Sequence, residues 1–501
     1  MSGHDRLALA EWQRIRRYAV PARMITEATA ARERGDWRAA CAAARFDVAL
    51  TDTQAAAAAD ALAGFAPDLL RWHLPRALGG NTTLAIDATG YALRTVEPLT
   101  EDSVVLAVDA PPSIYGSQRL TLRAVPAVDV EQLRRLHPVP PYLWDARQSA
   151  GLAAAASREP TSWTDAGLPV TIVGKQWWPG SADRLWHIDP VLLAGEVRQV
   201  AEWFGEPSWA LWFDWERVLR FDVDGDEVRV SQLSTRGDEL RDLPRLHHQL
   251  LRYNVDLDLV RDGRLTPGDL HPLVRAALFP SAALFPSAAE MTAAPVAGLT
   301  GPVRVRCRGD WHEIEVRSGR LGLIAHSAAE QQRERAMRAF GGVVTGCFAV
   351  EQTWNGTAGR LPRRLRAHRR DLWQRMLHGG TRVVLELLDA GMDPNLRDGR
   401  GQTLLHRLRS FDHEVLLPRL LADGADVNAR DLEGNTPLYL AVVYQAPAAL
   451  IRALAEAGAD PHATNQGDMS VMDYLDDVLS YREGQLGPDF RAAVDFLRRR
   501  A

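Results

Sequence analysis

A spacing of 33 to 34 residues recurs through the last quarter of this 501-residue chain, and no other feature limits its folding as strongly. "GMDPN" (391–395) returns as "GADVN" (424–428) and again as "GADPH" (458–462). Asp398, Gly401 and Thr403 return 33 residues later as Asp431, Gly434 and Thr436, and Thr436 maps onto Ser470 at 34. A unit this short cannot bury an apolar face alone. About three or more copies must therefore stack, with atypical units at the ends.

Between the markers the pattern is helical. "TRVVLELLDAG", "EVLLPRLLADG" and "PAALIRALAEAG" place apolar residues three and four apart, and each closes on glycine. That glycine suits the left-handed residue just past a helix end, and the Asp or Asn beyond it suits a turn. Thr403, Thr436 and Ser470 stand where a hydroxyl can cap a helix start.

These segments resemble the ankyrin repeat. "DLEGNTPLYLAV" (431–442) is similar to the family's D-x-x-G-x-T-P-L-H-x-A opening, with Tyr439 at the histidine position. "DGRGQTLLHRL" (398–408) keeps Thr403 and His406 and has Leu404 where the family has proline. "NQGDMSVMDYL" (465–475) resembles a degenerate last unit whose glycine is displaced to Gly467. "RRDLWQRMLHGGTRVVLELLDAG" (369–391) supplies two helices without a preceding turn, as a cap does. The resemblance covers residues 363–497, about four units, and makes His406 structural. It implies a surface for a protein partner at the hairpin tips and short-helix face. On this chain those positions are Arg397, Arg400, Arg407, Arg430, Leu432, Glu433, Tyr444 and Gln466. Plain solubility is the competing reading of the same residues.

The preceding three quarters carry no family resemblance. Residues 1–80 read as helical, with a helix pair turning at Gly35–Asp36. Residues 81–277 read as an α+β region. "TTLAID", "GYALRTVE", "SVVLAVD" and "QRLTLRAV" alternate with period two, as in an antiparallel meander, and "VDVEQLRRLH" is helical. The proline cluster at 137–143 suggests a boundary. Eight of the fifteen tryptophans fall between Trp163 and Trp215, read first as packing and alternatively as a pocket. "VLRFDVDGDEVRVSQL" (218–233) is a hairpin at Asp224–Gly225 and lacks the glycine and glutamate positions of a calcium loop. Residues 278–302, with the duplicated "LFPSAA", read as a linker, and 303–356 as a small α+β unit. In that unit a strand pair precedes a helix opened by a Ser327/Glu330 capping box, and "GGVVTGCFAVEQTW" reads as a further strand. The expected fold class is multidomain: an α+β N-terminal region with antiparallel strands, then a C-terminal all-α ankyrin-repeat solenoid.

Composition narrows the function. A formal net charge of -5, with 46% hydrophobic and 25% charged residues, describes a globular chain without a nucleic-acid bias. Lys175 is the one lysine, so arginine is the default cation of this sequence, as in GC-rich coding sequences. The basic run at 359–375 therefore reads as a solvated helix face rather than a nucleic-acid site. Cys41, Cys307 and Cys347 form no CxxC and no disulfide framework. There is no signal-peptide pattern and no long apolar run, so the expectation is cytoplasmic, without a membrane partner.

No catalytic motif emerges. Lys175 lacks the glycine and hydroxyl residues of a phosphate loop, and HExxH, GxSxG and GxGxxG are absent. His247–His248 and "WHEIEV" (311–316) hold ligand-type residues, but neighbours in sequence diverge on a strand or helix. No catalytic, cofactor-binding or metal residue is nominated. The expected function is protein–protein interaction, a scaffold recognising its partner through the ankyrin stack. The alternative is an enzyme or small-molecule-binding domain in residues 1–356, regulated or targeted by the stack.

Overall fold

The computed structural model describes residues 3–500 except 87, 89, 157–169, 172–189, 213–217, 234–239, 241, 252, 253, 282–300, 318, 324, 341–343, 357, 358 and 483–486. It divides into two compact units, one of residues 1–114 and 118–293, the other of residues 115–117 and 294–501. Most of the expected 278–302 linker, and Trp163, Trp177, Trp178, Trp186 and Trp215, lie outside the described residues.

The first unit holds two five-stranded sheets. One is built from β1 (Phe46–Ala49), β2 (Gly90–Leu93), β3 (Val104–Asp109), β4 (Leu120–Pro126) and β5 (His137–Val139), in the order β1-β4-β3-β2-β5. The other is built from β6 (Val170–Thr171), β7 (Ser208–Trp212), β8 (Val218–Asp224), β9 (Glu227–Leu233) and β10 (Arg245–His247), in the order β6-β9-β8-β7-β10. The two orders are the same topology used twice. In each, three antiparallel strands form a meander, and the outer strands add in parallel to its two edges. The tripeptide Arg-Leu-His occurs at both closing strands, as Arg135-Leu136-His137 leading into β5 and as Arg245-Leu246-His247 forming β10.

Two expectations change here. The helical reading of 1–80 is interrupted by β1, four residues that pair with β4 and bury Phe46. The proline cluster at 137–143 is no boundary, since β5 is buried and pairs with β2. Pro138 is tolerated because β5 is an edge strand, where a missing donor costs no ladder bond. The meander is present as β2, β3 and β4, whereas among the described residues "TTLAID" contributes an isolated bridge, Arg76 to Leu84. Gly35, at φ 74, and the capping side chain of Asp36 turn helix Ala22–Glu33 into helix Trp37–Ala43. The β8–β9 hairpin turns at Gly225–Asp226, one residue beyond the expected Asp224–Gly225, because Asp224 still pairs with Glu227 in the ladder. Trp203 and Trp209 are buried packing residues, while Arg245 lies over the half-buried Trp212 ring at 5.0 Å.

Helix Gly3–Tyr18 is tied to helix Val255–Arg261 by a buried ion pair. Arg16 Nε donates to Asp256 Oδ1 at 2.5 Å, Trp72 Nε1 donates to Asp256 Oδ2 at 3.0 Å, and Arg16 Nη1 donates to the Trp72 carbonyl at 2.6 Å. Each charged group thereby keeps hydrogen bonds on leaving water, as burial demands.

The second unit starts with an antiparallel sheet of β11 (Val303–Cys307), β12 (Asp310–Arg317) and β13 (Arg320–Gly322). Ser327 and Glu330 form the expected capping box of helix Ala328–Ala339, with Ser327 N–H donating to Glu330 Oε2 at 2.8 Å. Residues 346–355 are a helix rather than the expected strand. Its buried side chains, Cys347, Phe348, Val350 and Trp354, fall on one helical face, which the short apolar run disguised. Trp354 Nε1 donates to the Gly319 carbonyl at 2.9 Å. A single apolar cluster then runs from Val303 through the repeats to Leu497.

The repeats follow as helix pairs: Arg363–Gly379 with Thr381–Asp389, a 3-10 turn at Leu405–Ser410 with His413–Ala422, Pro437–Val443 with Ala448–Glu456, and Val471–Arg482 with Pro488–Arg500. The N-terminal region is α+β with antiparallel strands, and the C-terminal helices are those of an ankyrin stack.

Candidate functional site

Three turns separate the helix pairs, and all are built the same way. The side chain of Asp398 accepts from the backbone of Arg400 at 2.7 Å and Gln402 at 2.9 Å. Asp431 does so from Glu433 and Asn435, both at 2.9 Å, and Asn465 from Gly467 at 2.9 Å and Met469 at 3.2 Å. These are Asx turns, in which a short side chain replaces a backbone acceptor. Gly401 at φ 75 and Gly434 at φ 79 take the left-handed position. In the last turn Asp468 takes it at φ 54, so the displaced Gly467 does not prevent the turn from forming.

Side chains ladder one turn to the next. Arg397 Nη1 donates to the Arg430 carbonyl at 2.6 Å, and Arg430 Nη1 donates to the Thr464 carbonyl at 2.6 Å. Asn395 Nδ2 reaches Gly424 O at 2.9 Å, and Asn428 Nδ2 reaches Gly458 O at 3.1 Å. Backbone bonds run in parallel, from Leu432 N–H to Arg400 O at 3.0 Å and from Gln466 N–H to Glu433 O at 2.9 Å. The tips are therefore held in fixed register.

The eight expected partner-facing residues divide on this framework. Arg397, half-buried, and Arg430 brace neighbouring turns. Arg407 pairs with Asp398 at 3.3 Å with little exposure, and Tyr444 stacks its ring on the Arg409 guanidinium at 4.3 Å. Gln466 is exposed and spends its amide on the Leu432 carbonyl at 2.9 Å. Arg400, Leu432 and Glu433 are exposed neighbours on adjoining tips, and Leu432 keeps 45% of its surface in solvent. Spacing alone could not make this division, because it depends on which side chains reach the next turn.

The helix-start hydroxyls also differ. Thr436 accepts from Tyr439 N–H at 3.2 Å, and Ser470 caps Asp473 N–H at 3.2 Å while Asp473 answers with its carboxylate. Thr403 instead meets the ring of His406, whose Nδ1 accepts from Thr403 N–H at 3.1 Å. His406 Nε2 lies 3.0 Å from the Asn435 carbonyl. With Nδ1 accepting, Nε2 carries the proton and donates. His406 is thus a neutral structural bridge between two repeats. Burial pulls it down to about 4, against a smaller opposing effect of the Asn435 carbonyl.

In the first unit, a cavity of about 50 Å3 is lined in part by Trp12, Arg16, His73, Tyr142, Gln249 and Asn254. It has room for a few waters and falls well short of the roughly 300 Å3 at which ligand sites begin. Burial, then the Arg16 charge, holds His73 down to about 3.

Stacked helix pairs, Asx turns at a 33-residue period and laddered tips define an ankyrin-repeat segment. The family model of ankyrin repeats in three copies matches residues 374–465. An ankyrin repeat-containing protein of Schizosaccharomyces pombe is 41% identical over 70 residues, which is 14% of this chain and 34% of the relative. The chain thus spans about a third of the length of that relative. Ankyrin repeats are, in general, protein-interaction modules. Among the described residues no helix is long and apolar enough to cross a membrane.

Proposed function

We propose that this protein is a cytoplasmic scaffold that recognises a protein partner on the tips of its ankyrin stack. The observation that carries the reading is the exposed trio Arg400, Leu432 and Glu433, an apolar side chain flanked by opposite charges on hairpins locked by inter-repeat bonds. A rigid platform loses little entropy on association, which favours binding without refolding. Arg430 and Arg397 keep the platform in register, and the trio supplies recognition.

Affinity capture from the native host tests this, comparing wild type with the triple variant Arg400→Glu, Leu432→Asp, Glu433→Lys. Arg430 stays intact, since removing it would disturb the turn as well as the surface. The variant is expected to enrich the partner roughly tenfold less, the loss of about 1.4 kcal/mol of binding, with its melting temperature unchanged. Equal enrichment by both proteins would remove the tips from the interface.

A further inference from the structure

Cys307, His312, His326 and Cys347 converge in the small sheet-and-helix part of the second unit. One donor atom from each lies within 4.8 Å of the other three. His312 Nδ1 is 3.0 Å from His326 Nε2, and Cys307 Sγ is 3.7 Å from His326 Nε2. A tetrahedral ion with bonds of about 2.3 Å to sulfur and 2.0–2.1 Å to nitrogen spaces its ligands by roughly 3.3 Å between nitrogens and 3.6 Å between nitrogen and sulfur. The observed distances fall close to both.

Four separate elements deliver these donors. Cys307 ends β11, and a two-residue turn follows, with Arg308 at φ 52 and Gly309 at φ 102. His312 lies on β12, His326 just before helix Ala328–Ala339, and Cys347 in the first turn of helix Gly346–Asn355. That helix start is brought against the strand end by a glycine. A Cβ on Gly346 would sit 2.5 Å from Cys307 Sγ and 2.8 Å from Cys307 Cα. Thr345 makes no side-chain capping bond there.

The geometry points to a structural Zn2+ site in which Cys307, His312, His326 and Cys347 hold the ion tetrahedrally. Two thiols and two imidazoles form a soft to borderline donor set that suits zinc, and it offers no oxygen to calcium or magnesium. Binding sends both thiol protons to solvent, and the two thiolates balance the ion's charge, so the buried site is neutral overall. Four protein donors leave no open position for substrate. Cys307 and Cys347 are each 1% exposed and His326 8%, which closes the site on three sides. A disulfide would use the two sulfurs but would give the two imidazole nitrogens no reason to face them. The ion joins two strands, a loop and a helix, and a metal staple across four separate elements contributes directly to folding.

The test uses the full-length protein purified anaerobically without chelator. Metal analysis is expected to give about one zinc per chain. Replacing the ion with Co2+ is expected to produce tetrahedral bands in the red and thiolate-to-cobalt charge transfer in the near ultraviolet. His312→Gln is the mildest variant because that ring is half-buried, and it is expected to lose zinc to a competing chelator with at least tenfold weaker retention. Cys347→Ser should show the same loss together with the loss of charge transfer. Folded wild-type protein with background zinc after anaerobic zinc addition overturns the site. So does a Cys307–Cys347 disulfide under these conditions, or unchanged zinc retention in both variants.

Discussion

The Nε2–H of His406 donates to the carbonyl of Asn435, 3.0 Å away and 29 residues later, so the imidazole of one repeat holds the helix entry of the next. Its other nitrogen is occupied by Thr403 N–H, which leaves the ring neutral and without room for a second proton. Burial lowers His406 from 6.5 to about 4, whereas in the unfolded chain it titrates near its ordinary value. As pH falls the unfolded chain takes up the proton first. The contribution of this histidine is therefore complete above about 6.5 and is lost progressively down to about 4. Its full size is on the order of 3 kcal/mol.

This predicts a difference in slope rather than a single acid midpoint. Between pH 7 and pH 4.5, urea denaturation should show the wild type losing roughly 2 kcal/mol more than His406→Ala. At pH 7 the variant should be less stable by about 2 kcal/mol, because Asn435 O and Thr403 N–H lose a buried partner. Parallel pH profiles for the two proteins would contradict the neutral-bridge assignment.

A second prediction concerns the first unit. Burial raises Asp256, but Arg16 and the Trp72 donor outweigh it, and the carboxyl lies below its ordinary value. Asp256→Asn would leave the Arg16 guanidinium buried beside a neutral amide, at a cost of about 3–5 kcal/mol. The double change Arg16→Met, Asp256→Leu removes both charges and should recover most of that loss. A double variant as unstable as the single one would show that packing, rather than the uncompensated charge, sets the penalty.

The sequence revealed what repeats locally and concealed what forms between distant segments. Asp398, Gly401, Thr403 and their copies announce a repeat because each turn needs the same backbone geometry within a few residues. The twofold use of one sheet topology in the first unit leaves only Arg-Leu-His as a trace, since a strand order can be kept by many apolar sequences. In sequence the cysteines are unrelated because Cys307 and Cys347 are 40 residues apart, and no spacing rule records a glycine-permitted approach of a helix start to a strand end. Residues 346–355 hide their helix for a related reason, as a run that short fits a strand or a helix face equally. Among the candidate partner residues, Arg397 and Arg400 look alike in sequence. Only the reach of Arg397 to the next carbonyl separates a brace from a free tip.

The three turns also predict which left-handed position can be improved. Gly434 sits at φ 79, and a Cβ there would lie 3.0 Å from Gln466 N, against the backbone of the next turn. Gly434→Ala therefore combines left-handed strain of roughly 1–2 kcal/mol with crowding that the laddered tip cannot relieve. Asp468 occupies the matching place in the last turn at φ 54, exposed and without glycine's freedom. Replacing it with glycine removes the same strain and adds back about 0.5–1 kcal/mol of unfolded-chain entropy, for a net gain of roughly 0.5 kcal/mol. Thermal denaturation should thus move in opposite directions for Gly434→Ala and Asp468→Gly. If both variants melted below the wild type, the Asp468 side chain would have to hold the last turn by an interaction stronger than the strain it carries.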